Sequence, residues 1–156
     1  MKSTKFVTAL VLSVALTATT AIADAHLNNA VGARQAQMTL YGFNLGTLGG
    51  MAQGKIEYDA EAAQKAADNL AKLTSLDQSA LWPAGSDNFA MGNVTRAKPE
   101  IWDNFPDVFA KVAASNEAAV AMAEAAGGGL DSLRGAIGPL GQACSACHKA
   151  YRAPKE

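Results

Sequence analysis

The amino-acid sequence predicts an all-α protein, an antiparallel up-down-up-down four-helix bundle. Three observations predict it. Nearly half of the side chains are apolar, and much of that share is alanine and leucine with few β-branched runs, a composition that favours packed helices. Apolar residues recur at steps of three and four in four separate segments. The first and last connections between those segments are short, which places successive helices side by side and antiparallel.

The chain opens with a different kind of segment. Lys2 and Lys5 make a positive start, Phe6 to Leu16 is an apolar run, and Ala21-Ile22-Ala23 is a small-residue cleavage site. Residues 1–23 therefore read as a cleaved secretory signal, with a cut after Ala25 as the shifted alternative. The run is too short for a comfortable membrane span. Residues 24–156 are one domain's worth of chain. The whole chain carries a net charge of −1. Without Lys2 and Lys5 the balance is 11 basic to 14 acidic side chains, or −3, which argues against a nucleic-acid partner.

The first helix is expected from Asn28 or Asn29 to about Gln53, with Asn28 as N-cap. Its stripe is Val31, Gln35, Met38, Tyr41 or Gly42, Leu45 and Leu48. Leu40, Phe43 and Thr47 lie on another face, serving either a wide core stripe or a partner chain. Asp59 caps the second helix, with Glu61 in its first turn and a stripe of Ala62, Ala66, Leu70 and Leu73, fading near Ser75 to Asp77. Gln78 to Lys98 is long for a loop in a small bundle. Its Trp82, Phe89 and Met91 are expected to fold back over the core or a cofactor edge, or to pack as a satellite. Pro99 opens a turn of helix, and Pro106 interrupts before a main helix from near Asn104 to Ala125 or Ala126. Phe105, Val108 or Phe109, Val112, Ala119 and Met122 are its expected buried set. Gly127-Gly128-Gly129 ends it. Asp131 caps the last helix, whose stripe is Leu133, Ile137, Leu140, Cys144, Cys147 and Tyr151, with a kink expected at Pro139 and an end at Pro154.

That last helix carries the chemistry. Cys144-Ser145-Ala146-Cys147-His148 is C-x-x-C-H, the attachment motif of a c-type haem. Two thiols three residues apart share one side of a helical turn, as two haem vinyl groups require. His148 follows at once and can present a ring nitrogen to iron. A bare C-x-x-C would also suit a redox dithiol or half a zinc site. The chain has only two cysteines, so a four-cysteine zinc site is excluded. Export fits this reading, because an oxidising compartment would tempt free thiols to pair and thioether formation uses both. The expected cofactor is one haem c per chain, covalent through two thioethers, and the fold class becomes a four-helix bundle with covalently bound haem.

The chain resembles a known family. The resemblance rests on the C-terminal motif continuing into Lys149-Ala150-Tyr151-Arg152, on Pro99-Glu100-Ile101-Trp102 opening the third helix, and on Arg34-Gln35-x-x-Met38 in the first. These look like cytochrome c′, the class II c-type cytochromes, and the likeness covers essentially the whole mature chain. It implies a haem inside the bundle linked through Cys144 and Cys147, with His148 as axial ligand. In typical members the other face of the iron is vacant, five-coordinate and high-spin, and takes nitric oxide or carbon monoxide. It also implies that Arg34 meets a haem propionate, that Gln35 lies at the haem edge and that Arg96 passes the propionates. Arg152, one turn past His148, is either a neighbour of the proximal face or a cation at the negative helix end. His26, the other imidazole, is not expected to be a ligand. Met38 matches the position facing the distal side. It either lines an open pocket or supplies a sixth ligand, as in low-spin relatives of the same fold.

The expected function is a periplasmic haem protein with five-coordinate iron that binds NO or CO, transfers electrons to redox partner proteins, or both. The alternative is a six-coordinate His148/Met38 electron carrier. The sequence offers no distal histidine for acid–base work, so an enzyme is not expected. A homodimer through the first two helices would use the Leu40 and Phe43 face.

Overall fold

The computed structural model describes the backbone of residues 4–155 and the side chains of residues 24–155. The leader expected over residues 1–23 therefore lies outside the described side chains. Four long helices, α1 (Thr4–Ala52), α2 (Ala60–Thr74), α3 (Phe105–Ala125) and α4 (Leu130–Tyr151), form the bundle. α1 packs on α2 and α4, and α3 packs on the same two, so α1 and α3 lie diagonally opposite. No β-strand occurs among the described residues, and none of their helices is long and apolar enough to cross a membrane.

The local reasons for these elements are visible in the chain. The Asp59 carboxylate accepts from the Ala62 amide at 2.7 Å and caps α2, as expected. α2 buries Ala63, Ala66, Ala67 and Leu70; of the expected stripe, Ala66 and Leu70 are buried and Ala62 and Leu73 partly so. Pro106 sits in the first turn of α3, where its missing N–H costs nothing. Gly129, with φ +114°, starts α4 from a backbone conformation that a side chain would strain. The Tyr58 hydroxyl closes this turn: it donates to the Ala126 carbonyl at 2.9 Å and accepts from the Gly129 amide at 3.0 Å.

Two boundary expectations change. α1 continues through Asn28, whose side chain donates to the Asp24 carbonyl at 2.9 Å instead of capping a new helix. Asp131 lies inside the first turn of α4, and Gly129 takes the cap position. α4 runs through Pro139 as one helix to Tyr151.

The core occupies one end of the bundle. Leu48, Met51, Ala63, Leu70, Ala119, Met122, Leu133 and Leu140 form one buried cluster. Phe105, Phe109 and Val112, expected in the core, are exposed. They lie on α3 beyond Ala119, past the limit of that cluster, toward the end that carries the C-x-x-C-H motif. Phe105 and Phe109 instead stack on each other with ring centroids 5.7 Å apart.

The other correction concerns α1. Its buried residues are Ala30, Val31, Arg34, Gln37, Asn44, Leu48 and Met51. Gln35 and Met38, placed in the stripe by periodicity, are exposed, and Arg34 and Gln37 are inside. Leu40 and Phe43 are exposed, Phe43 at 73%, so they do not belong to a wide core stripe.

Candidate haem site

The last two turns of α4 place Cys144, Cys147 and His148 on the side that faces the bundle. Cys144 packs against the core cluster and lies near Tyr41 of α1. Cys147 points toward α3, within electrostatic reach of Lys111 and Asp107. The two thiols thus flank the inward side, one toward each diagonal helix. They are not paired with each other, and both are partly buried. Burial pushes both thiols above the ordinary cysteine range, which holds them as neutral S–H groups. His148 is also partly buried. Burial pushes its pKa down, and the cations Arg152 and Arg96 push it the same way. The imidazole is therefore held neutral, the form that can ligate iron.

A groove of about 450 Å³ runs between α1 and α4, lined by Gly42, Gly46, Gly49 and Gly141 with Leu45 and Ile137. A methyl added at Gly42, Gly46 or Gly141 would meet nothing within 4 Å. Met38 lies one helical turn before Gly42 on this flank of α1 and is 37% exposed. Among the described residues no three His, Cys, Asp or Glu side chains converge on a metal-ion position. Two thiols and a neutral imidazole grouped on the last two turns of α4 fit a haem attached through both sulfurs.

The long segment between α2 and α3 closes over this end. Arg34 holds it. The guanidinium, almost wholly buried, donates to the Leu81 carbonyl at 3.3 Å, the Ser86 hydroxyl at 2.8 Å, the Ser86 carbonyl and the Thr95 hydroxyl at 2.8 Å. It also lies 4.7 Å from the Trp82 ring centre, and the Trp102 indole N–H donates to the Trp82 carbonyl at 3.1 Å. Burial lowers the Arg34 pKa and Asp87 raises it part of the way back. Gln35 joins the same work by donating to the Val94 carbonyl at 2.8 Å. Of the loop aromatics, Trp82 packs inward as expected, whereas Phe89 is 91% exposed and covers nothing.

Arg96 sits where the loop clips onto the end of α4. Its Nε–H donates to the Ala153 carbonyl at 2.8 Å, the Ala153 amide donates to the Arg96 carbonyl at 2.8 Å, and the Lys98 amide donates to the Tyr151 carbonyl at 3.0 Å. Arg152 is exposed and faces the same short antiparallel bridge through Ala97. Sequence reasoning missed Ser86 and Thr95, the Arg34 acceptors, because nothing local marks a loop hydroxyl as the partner of a distant cation. It also missed Asp107, which accepts from the Tyr151 hydroxyl at 2.5 Å and pairs with Lys111 at 2.9 Å. These bonds hold the Asp107 carboxyl below the usual range and push the Tyr151 phenol up to about 12.

A helical bundle whose last helix offers two thiols and an imidazole to its interior defines a class: the bundle-type c-haem proteins. The cytochrome c′ family model matches residues 29–152. The chain is 43% identical to cytochrome c-554 from Cereibacter sphaeroides over 148 residues, spanning 92% of this chain and 95% of that one. It is 37% identical to cytochrome c′ of the same organism, over 90% of this chain and 93% of that one. The solved cytochrome c′ from Rhodobacter spheriodes superposes with a TM-score of 0.80 at 35% identity, covering 83% of this chain and 98% of that chain. A ferrous variant of the Alcaligenes xylosoxidans protein has been solved with bound NO, and another variant with carbon monoxide, each at 32% identity with TM-scores of 0.72 and 0.71. The chain belongs to the cytochrome c′ family. Its cofactor is haem c, bound covalently, and the two cysteines in the chain are those of the motif.

The Arg34 geometry makes a direct prediction. Replacing Arg34 with Met keeps a long apolar stem but leaves buried Ser86 and Thr95 without their donor. Urea unfolding should show a loss of roughly 3 kcal/mol, and limited proteolysis should cut between residues 79 and 98. Gln35→Ala, which removes one exposed bond, should cost under about 1 kcal/mol.

Proposed function

We infer that the protein is a periplasmic haem c carrier in which Cys144 and Cys147 hold the porphyrin, His148 is the axial ligand, and the opposite face of the iron is open to NO and CO. The observation that carries this reading is the grouping of Cys144, Cys147 and His148, all partly buried, on the last two turns of α4. Bound haem supplies a one-electron couple and a site for diatomic gases. The chain's own residues do the rest. The helix fixes the spacing of the thiols, burial lowers the pKa of His148, and Arg34 holds the loop at that end. Arg96, exposed beside His148, is the cation assigned to a haem propionate; Gln35 borders the same rim. Arg34, committed to four loop acceptors, retains only its Nε–H for such a contact among the described residues. The gas-bound structures of relatives support the open face, and the leader over residues 1–23 supports export.

One observation favours a second reading, in which Met38 is the sixth ligand. Met38 lies one helical turn before Gly42, on the α1 flank that lines the groove. Thioether ligation would raise the reduction potential and close the gas site. The optical spectrum of the ferrous protein decides. An open iron gives a broad Soret band that sharpens under carbon monoxide, and Met38→Ala changes little. A Met38-ligated iron gives sharp α and β bands indifferent to carbon monoxide, and Met38→Ala makes them responsive. A spectrum without haem absorption would overturn both readings.

The exposed Leu40 and Phe43 face is the surface we assign to a homodimer through α1 and α2. One relative is described as a cytochrome c′ with ligand-controlled dimer dissociation. Leu40→Glu with Phe43→Glu should convert a sedimenting dimer to monomer. A dimer that persists would refute the assignment.

A further inference from the structure

The end of α4 is held from two sides. On one side the loop pairs with it through Arg96, Ala97 and Lys98. On the other, Tyr151 reaches α3. Its ring is buried, and its hydroxyl donates to Asp107 Oδ2 at 2.5 Å. Lys111, one turn along α3, donates to Oδ1 at 2.9 Å, so both carboxylate oxygens are engaged and the acceptor cannot swing away. The pair sits beside Cys147, whose thiol feels both Asp107 and Lys111. Tyr151 lies three residues after His148, on the neighbouring position of the same helical turn. The Arg152 amide donates to the His148 carbonyl at 3.1 Å and closes that turn. A bond from α3 to Tyr151 therefore restrains the backbone segment on which the axial imidazole is mounted. A helix end without it would fray first, because terminal turns lack half of their backbone partners.

We propose that Asp107 and Tyr151 are positioning residues for the axial histidine: the α3 carboxylate, through the Tyr151 hydroxyl, holds the last turn of α4 so that the His148 ring keeps one orientation toward the iron. This rests on His148 being the axial ligand. Lys111 orients Asp107 in turn. An amide at position 107 can still accept from the phenol, whereas a methyl cannot.

The test uses the purified haem-loaded protein and two readouts: amide hydrogen exchange at Arg152, and the ferric electron paramagnetic resonance spectrum, which reports the axial ligand's orientation in high- or low-spin iron. Tyr151→Phe keeps the buried ring and removes only the hydroxyl. It should speed exchange at Arg152 roughly tenfold or more, as loss of a bond to a charged group implies, and should broaden or split the resonance. Asp107→Ala should do the same, and Asp107→Asn should restore both readouts to within about threefold. Unchanged readouts in Tyr151→Phe and Asp107→Ala would overturn the proposal. Faster exchange with an unchanged resonance would overturn it too, because the pair would then stabilise the helix end without orienting the ligand. A wild-type spectrum lacking histidine-ligated haem would instead defeat the reading of His148 on which this rests.

Discussion

One constraint governs the molecule: the last two turns of α4 must turn two thiols and an imidazole inward together. A helix can do this only if its other inward positions are also satisfied, and they are. Leu133 and Leu140 fill the core on the same side of α4, and Tyr151 ends the stripe against α3. Cys144 and Cys147 then fall to either side of the inward line, toward α1 and toward α3. Burial also disfavours the charged form of the imidazole. The alanines of α2 pack in the same cluster as Leu48, Met122 and Leu133, where their small side chains let the helices approach closely.

A long connection over an active end is a hazard in a small bundle, because it carries many backbone polar groups. Here a single buried cation gathers them. Arg34 takes acceptors from three separate points of the loop and adds the Trp82 ring. A guanidinium suits this role better than an ammonium, because its planar set of donors reaches several acceptors at once. The loop's far end is then paired to the tail of α4, so the segment is pinned to α1 at one side and to the haem-bearing helix at the other.

The parts of this arrangement that are local were legible in the sequence. The C-x-x-C-H motif, the Asp59 cap, Pro106 in the first turn of α3 and the triple-glycine break each signal themselves within a few residues. The parts that misled depend on partners far along the chain. Periodicity put Gln35 and Met38 in the buried stripe of α1, whereas Arg34 and Gln37 lie inside. A cation counts as a surface residue until its acceptors are known, and those of Arg34 stand 52 and 61 positions away. The Tyr151 hydroxyl similarly meets an acceptor 44 residues back, which no helical pattern on α4 announces. Phe105, Phe109 and Val112 follow core spacing, yet they lie at the motif end of α3, outside the buried cluster that Leu48, Met122 and Leu133 form.

The central claim is that Cys144 and Cys147 anchor the prosthetic group and leave no free thiol. Intact-mass spectrometry of the denatured protein, with and without a thiol-alkylating reagent, tests it most directly. The account predicts one haem retained on the unfolded chain and no mass gained from the reagent. Haem lost on denaturation, with one or two alkyl groups added to the chain, would contradict it.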